Sequence, residues 1–176
     1  MKEIRFAQEM YKPPIPWEAI DPEWKSKLIE SNIWWVQHNP IGKTIEEQQQ
    51  MDKMIRLRNK LLSFGGEIVY LPLFDPAFEK IMEKGQYWYG DHIQFTNRYY
   101  DRFHGNIALI WEQNKQKYKI ATGYALSKNG YWKQHSWIVE PLKRKCRIVE
   151  TSETYIAYFG FILTEEESRK AFQMRL

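Results

Sequence analysis

Three positions in the second half of the chain suit the chemistry of a nucleophilic enzyme. His135 lies on one predicted strand and Glu150 on the next, so that the carboxylate could orient the imidazole as a general base. A predicted helix begins just after Phe103, and the start of a helix is where a cysteine thiolate is best stabilised. Phe103 occupies the place of that nucleophile and cannot attack a carbonyl carbon. The pattern is therefore that of a catalytic triad that lacks its nucleophile.

The same residues have other interpretations. His135 and Glu150 could simply form a buried hydrogen bond that holds two strands in register. Cys146 lies four residues before Glu150 on the same predicted strand, about 13 Å away, and is a poor replacement for the nucleophile. His104, His135 and Glu150 include ligand types that bind zinc, but no local metal signature accompanies them, so the sequence predicts no metal and no cofactor. Trp137 follows His135 on the same strand face and would either line a pocket or fill the core.

Caps and periodicity predict the elements that precede these positions. The first 42 residues are rich in proline and tryptophan and predict an arm with a short helix over residues 22–35, either a cover over the core or a docking surface. Thr44 and Glu47 form a capping-box pattern, and apolar residues at three- and four-residue spacing predict a helix of about 20 residues that ends at Gly65. A strand over residues 67–71, a helix over residues 76–84 and a long aromatic loop over residues 86–100 follow.

The remaining residues predict a helix that packs on a sheet. Residues 104–113 carry an apolar helical face, and residues 128–130 (Lys-Asn-Gly) predict a hairpin turn. Strands are predicted over residues 117–126, 133–139, 145–151 and 155–163, and a helix capped by Thr164 runs to about residue 174. The whole chain, residues 1–176, is predicted to form one α+β domain with three parts, 1–42, 43–100 and 101–176. N-terminal helices precede a central helix, which packs on a mainly antiparallel meander of four to five strands.

Four short motifs resemble the core of the transglutaminase-like superfamily, which is related in fold to papain-type and NlpC/P60-type cysteine peptidases. The matching pieces are Ile107-Ala108-Leu109-Ile110-Trp111, Ala121-Thr122-Gly123-Tyr124, His135-Ser136-Trp137 and Val149-Glu150-Thr151. Tyr158-Phe159-Gly160 is similar to a motif of small uncharacterised bacterial and phage proteins. The resemblance implies a papain-like or transglutaminase-like fold in which Phe103 stands at the nucleophile position and Glu150 replaces the usual aspartate. Residues 1–100 lie outside it.

Composition describes the expected setting of the protein. The net charge is +4, and the densest basic run, Lys143-Arg144-Lys145 with Arg147, is typical of a solvated hairpin tip, so no nucleic-acid partner is predicted. Eight Trp, 11 Tyr and nine Phe residues predict a well-packed core with an aromatic-lined groove or interface. The single cysteine excludes an intrachain disulfide and fits a reducing compartment. With no apolar leader or membrane-spanning stretch in the sequence, the expected location is the cytoplasm.

These observations predict a catalytically impaired, transglutaminase-like protein that serves as a binding module for a protein or peptide, with a small molecule as the other ligand class. The residues predicted to line the binding surface are Trp88, Tyr99, His104, Tyr124 and Trp137. A phage or host-interaction role follows from the resemblance alone. The alternative is a hydrolase or transferase without cysteine, in which His135, oriented by Glu150, activates water. A third hypothesis is a structural subunit of a complex, with exposed aromatic residues at its interface.

Overall fold

The computed structural model describes residues 44–72, 75–90, 93–95, 103–143, 145–151 and 153–173. These residues form four helices and seven strands in an α+β arrangement. The helices are α1 (Ile45–Leu62), α2 (Phe78–Lys84), α3 (Phe103–Gln113) and α4 (Glu165–Gln173). The strands are β1 (Ile68–Val69), β2 (Gln86–Tyr89), β3 (Ile93–Phe95), β4 (Lys119–Leu126), β5 (Tyr131–Pro141), β6 (Cys146–Glu150) and β7 (Ala157–Ile162). The predicted N-terminal arm and its helix lie outside the described residues.

The predicted starts of α1 and α4 are confirmed. The Thr44 hydroxyl accepts a hydrogen bond from the Glu47 amide at 3.2 Å, and the Glu47 carboxylate accepts one from the Thr44 amide at 3.0 Å. Thr164 and Glu167 form the same reciprocal pair at the start of α4, at 3.2 and 2.8 Å. Each pair satisfies two backbone amides that the first turn of a helix would otherwise leave without a partner.

The strands form one mostly antiparallel sheet. Six strands lie in the order β2-β7-β4-β5-β6-β3, and β1 pairs in parallel with the start of β5. β4, β5 and β6 are successive antiparallel neighbours, whereas β7 returns to pair with β4, which is a Greek-key order. The predicted meander of four to five strands is therefore wrong in strand number and in the position of β7, although the mainly antiparallel α+β class is confirmed.

Glycines at the junction of β4 and β7 explain how the last strand reaches this position. Gly160 pairs with Gly123 across the two strands. A Cβ atom added at Gly160 would lie 2.2 Å from the Thr122 carbonyl oxygen and 2.9 Å from the Gly123 Cα, distances that real Cβ atoms do not adopt. The close approach of the two backbones therefore requires glycine at position 160.

The predicted loop over residues 86–100 is wrong in its first part. Gln86–Tyr89 pairs antiparallel with β7, and Ile93–Phe95 pairs parallel with β6, so these short strands form the two ends of the strand order. Their partners in the sheet lie far along the chain, and pairing of that kind leaves no strong period in a short aromatic segment. Residues 96–100 lie outside the described residues.

The two faces of the sheet differ, because side chains along each strand alternate between them. One face, which we call the helical face, packs against α1, α2 and α3 through two apolar clusters. The other, which we call the aromatic face, carries the buried residues Trp88, Ala121, Ala125, Trp137, Val139, Ile148, Tyr155 and Tyr158. This third cluster contains no residue of a described helix.

Candidate functional site

His135 and Glu150 lie together on the aromatic face. His135 Nε2 is 2.9 Å from Glu150 Oε1 and 3.2 Å from Oε2, and the Thr151 amide donates a hydrogen bond to the same carboxylate at 3.3 Å. His135 is 3% exposed and Glu150 is 0% exposed. The pairing predicted from the sequence is thus present, and it joins the neighbouring strands β5 and β6 inside the protein.

Aromatic rings surround the imidazole. The Tyr155 ring is 4.6 Å from the His135 ring, and the Trp137 ring lies nearly parallel to it at 6.3 Å. Tyr158 is 6.5 Å from the imidazole and packs on Trp137, which also meets Trp88 edge to face at 5.5 Å. These contacts place the His–Glu pair within the apolar packing of the aromatic face, where water is excluded.

The segment between β6 and β7 covers the pair. The Tyr155 hydroxyl donates to Glu153 Oε1 at 2.8 Å, Lys133 forms an ion pair with Glu153, and Lys133 Nζ lies 5.2 Å from the centre of the Tyr155 ring. Burial opposes ionisation of Glu153, but the hydrogen bonds from Lys133 and Tyr155 outweigh it and hold the pKa of Glu153 below its ordinary value. A charged Glu153 therefore fixes Tyr155 over the imidazole at neutral pH.

Two buried polar groups beside the pair, Trp137 Nε1 and the Thr151 hydroxyl, have no hydrogen-bond partner, and the Tyr158 hydroxyl near Glu150 makes no hydrogen bond of normal geometry. Burial, together with the nearby Glu150 carboxylate, raises the pKa of the Tyr158 hydroxyl well above its ordinary value. Tyr158 therefore keeps its proton at neutral pH. Unpaired polar groups of this kind are costly in an interior, and they mark the aromatic face as the part of the sheet whose polar atoms are least satisfied.

The helix that begins at Phe103 packs on the opposite face. Ile107, Ile110 and Trp111 of α3 form a buried cluster with Ile120, Ile138 and Val149. Val149 immediately precedes Glu150, and Ile138 is an odd number of positions from His135, so the imidazole and the carboxylate point away from α3. The structure thus brings His135 and Glu150 together, but it places them on the opposite face of the sheet from the side chains through which α3 packs.

The other predicted site residues are divided between the two faces. Trp88 and Trp137 are buried on the aromatic face, whereas Tyr124 is buried on the helical face. Position 103 is the first residue of α3 and position 104 the second, and the structure describes only their backbone. Tyr99 lies outside the described residues. Trp88, Trp137 and Tyr124 therefore contribute to packing and do not line an exposed groove.

A polar network on the helical face includes Tyr124 but no other predicted site residue. Asp75, which is buried, accepts hydrogen bonds from the Tyr124 hydroxyl at 2.6 Å, from Gln134 Nε2 at 3.1 Å and from the Ala77 amide at 2.8 Å. In sequence, Asp75 before Pro76 resembles an ordinary helix start, which hides its longer-range partners. Because every Asp75 oxygen is bonded, the network ties the start of α2 to β4 and β5.

The Cys146 thiol lies at the opposite end of β6 from the His135–Glu150 pair. Cys146 is the first residue of this regular strand and Glu150 is the last, so their backbones are about 13 Å apart. Cys146 is half-buried and packs against the aromatic-face cluster. Within the described ranges, no group of three or more His, Cys, Asp or Glu side chains could hold a metal ion. None of the helices in those ranges is long and apolar enough to cross a membrane.

Comparison of the chain with protein-family models, with curated proteins and with solved structures gives no match. The likeness to the transglutaminase-like core therefore stays a prediction from the four short motifs. The proposed function is therefore based on the geometry of the two faces.

Proposed function

We propose that this protein is a binding protein for a protein or peptide partner, and that the His135–Glu150 pair stabilises its scaffold and performs no catalysis. The observation that carries the proposal is the enclosure of the pair. His135 is 3% exposed, its Nε2 is held by Glu150, and the Tyr155 ring covers it at 4.6 Å. A general base has to reach a water molecule or a substrate proton, and this arrangement leaves no path to either.

The position of α3 supports the same proposal. An impaired cysteine enzyme would retain the His–Glu pair while losing the nucleophile, and Phe103 begins the helix where the resemblance expects that nucleophile. Because α3 packs on the helical face, the sheet lies between the packed side of α3 and the imidazole. This separation would remain if a nucleophile were restored at the start of α3. The half-buried thiol of Cys146, at the other end of β6, is remote from His135. The arrangement therefore supports a structural role for the His135–Glu150 pair, and the likeness to a cysteine enzyme rests on the four short motifs alone.

One observation favours a second function, a hydrolase that uses His135 as a base without a cysteine. The 2.9 Å hydrogen bond between His135 Nε2 and Glu150 Oε1 is the kind of contact that orients a catalytic imidazole. This function requires the segment that carries Glu153 and Tyr155 to open, which breaks the Tyr155–Glu153 hydrogen bond and the ion pair to Lys133.

Turnover measurements decide between the two functions. The native protein and the His135→Asn and Glu150→Gln variants are assayed with an activated ester, a chromogenic anilide and an activated phosphodiester, and circular dichroism verifies that each is folded. His38→Asn controls for the loss of a histidine in general. The binding proposal expects turnover that is the same in all four proteins. A rate that falls about 100-fold in folded His135→Asn and remains in His38→Asn would establish the hydrolase and overturn the proposal.

Labelling of the thiol tests whether Cys146 is activated. Iodoacetamide at neutral pH should modify Cys146 no faster than it modifies a free cysteine, because the thiol is half-buried and lies at the opposite end of β6 from Glu150. Rapid labelling, accompanied by loss of turnover, would instead indicate a cysteine enzyme.

A further inference from the structure

We propose that one end of the sheet binds an acidic segment of a partner protein. This surface, which we call the basic end, consists of residues 112–119, at the turn between α3 and β4, and of residues 140–143 and 145–147, at the hairpin between β5 and β6. The proposal rests on the proposed function as a binding protein and adds to it the chemical class of the partner. It concerns a surface that contains neither His135 nor Glu150.

The charge of the whole chain is concentrated in these two segments. They contain six of the 26 lysine and arginine residues but only two of the 22 acidic residues, although they make up 15 of 176 positions. The rest of the chain is close to neutral. The net charge of +4 is therefore a local property of the basic end, and an acidic partner would be attracted to this end first.

Folding brings the two basic segments together, which the linear sequence does not reveal. Lys119 on β4 pairs with Val139 on β5, next to the hairpin. Lys117 Nζ lies 3.3 Å from Glu140 Oε1, and Arg147 Nη1 lies 3.6 Å from Glu140 Oε2. One buried carboxylate thus holds a cation from each segment, and a single negative charge cannot neutralise both.

Two lysines of the surface are available to a ligand. Lys119 and Lys143 are exposed and form no ion pair with any described residue. Lys115 is 2.7 Å from Glu112 and 5.1 Å from the centre of the Trp111 ring, and Lys117 is 4.8 Å from the centre of the Tyr118 ring. These ring contacts restrict the side chains of Lys115 and Lys117, so that less conformational entropy is lost when a ligand binds them.

An apolar docking surface is less well supported. Among the described residues, the exposed large apolar side chains lie on several separate elements of the fold: Ile45, Ile55, Tyr70, Tyr89 and Leu109. Single exposed apolar residues are usual on protein surfaces and mark no interface by themselves. The concentrated charge is therefore the stronger indication of where a partner binds.

The surface fits an acidic polypeptide better than a nucleic acid. Glu112 and Glu140 each form an ion pair with a lysine of the surface, so the cations do not form the continuous row that a phosphate backbone contacts. Single-stranded nucleic acids also require exposed aromatic rings for stacking, but Trp111 is buried and Lys117 lies over the ring of half-buried Tyr118. Lysine ammonium groups suit the scattered carboxylates of an acidic segment, since each acts as a separate point charge.

Fluorescence anisotropy with labelled probes tests the proposal on the full chain. The probes are a peptide of 12 glutamates, a peptide of 12 glutamines and a single-stranded oligonucleotide of 12 nucleotides. The native protein is expected to bind the glutamate peptide at least about tenfold more tightly than the glutamine peptide, and the difference should shrink as salt is raised. The double variant Lys119→Glu/Lys143→Glu should weaken glutamate-peptide binding by about tenfold or more.

A matched control separates the basic end from the net charge. Lys84→Glu/Lys128→Glu makes the same charge change at exposed lysines in α2 and in the turn between β4 and β5, and it should weaken binding less than about twofold. Equal losses in the two double variants, or tighter binding of the oligonucleotide than of the glutamate peptide, would overturn the proposal. Histidine-dependent turnover with intact peptide binding would instead remove the proposed function and leave the acidic-segment surface standing, so the two failures are distinguishable.

Discussion

Two buried tyrosines on β4 and β7 show how differently the faces of this sheet treat polar atoms. Tyr124 on the helical face and Tyr158 on the aromatic face are both 0% exposed. The Tyr124 hydroxyl donates a 2.6 Å hydrogen bond to Asp75, whereas the Tyr158 hydroxyl lies close to the Glu150 carboxylate but makes no hydrogen bond of normal geometry. The same side chain is thus anchored by a short hydrogen bond on one face and mainly by packing on the other.

The contrast extends beyond the two tyrosines. On the helical face, Asp75 collects three hydrogen bonds that link a helix start to two strands. On the aromatic face, the His135–Glu150 hydrogen bond links β5 to β6. Trp137 Nε1, which lies next to this bond, has no hydrogen-bond partner. We infer that polar contacts add stability on the helical face, while aromatic packing offsets unpaired groups on the aromatic face.

The largest effect on stability is expected when His135, on the aromatic face, loses its hydrogen-bond partner Glu150. Glu150→Ala leaves His135 Nε2 without its acceptor in a site that excludes water, and it also removes buried volume. We expect the free energy of unfolding to fall by about 3–5 kcal/mol, as for other buried pairs that lose one member. Urea unfolding at neutral pH measures the change.

Two further variants test that assignment. Glu83→Ala makes the same substitution at an exposed position of α2 and should change stability by less than about 0.5 kcal/mol. The double variant His135→Ala/Glu150→Ala should cost less than the two single variants added together, because the pair acts as a unit. Additive losses would show that the two side chains are not coupled.

On the helical face, Tyr124→Phe should produce an intermediate loss. Asp75 would keep the bonds from Gln134 and the Ala77 amide but lose its shortest one. The expected decrease in the free energy of unfolding is about 1–2 kcal/mol, measured by urea unfolding. Tyr89→Phe, at a 60% exposed tyrosine, is the control and should be close to neutral. A neutral Tyr124→Phe would mean that the Asp75 network contributes no stability.

Acid should weaken the helical side by a smaller amount. The hydrogen bond from Lys80 and the bond from the Thr164 amide lower the pKa of Glu167 from 4.5 to about 2. Since the folded-state pKa is depressed, this contribution is complete above pH 4.5 and is lost as the pH falls toward 2. Glu167 is partly exposed, so solvent screening limits the contribution to about 1 kcal/mol.

The Glu167→Gln variant isolates this acid effect. It should be less stable than the native protein at pH 7, and the difference should disappear as the pH falls through about 2, as measured by thermal unfolding across the pH range. A constant difference at all pH values would show that the Glu167 charge plays no part.

Local signals predicted the helices, and non-local pairing explains what they missed. The capping pairs at Thr44 and Thr164 lie within four residues of sequence, so they are visible in the chain and are confirmed. β2 and β3 depend on partners that the chain supplies much later, which no local pattern reveals. The return of β7 to β4 depends in the same way on the distant glycine pair Gly123 and Gly160.

The candidate site was predicted in part for a similar reason. Proximity of His135 and Glu150 follows from their places on neighbouring strands, and the bond is present. The face on which they lie could not be predicted, because β5 is buried on both sides: Trp132 and Ile138 face the helices, while His135 and Trp137 face away. A strand without alternation between polar and apolar residues carries no sign of which face is which.

The smallest effect, and the sharpest test of the contrast between the faces, is expected from Tyr158→Phe. This variant deletes a buried hydroxyl that makes no hydrogen bond of normal geometry, so it removes a poorly satisfied polar group and leaves the ring packing on Trp137 intact. The free energy of unfolding should stay unchanged or rise by up to about 1 kcal/mol, opposite in sign to Tyr124→Phe. A loss of more than about 1 kcal/mol would show that the Tyr158 hydroxyl is paired in solution, for example with an internal water molecule. In that case the aromatic face would satisfy its polar atoms as the helical face does, and the two faces would differ only in what covers them.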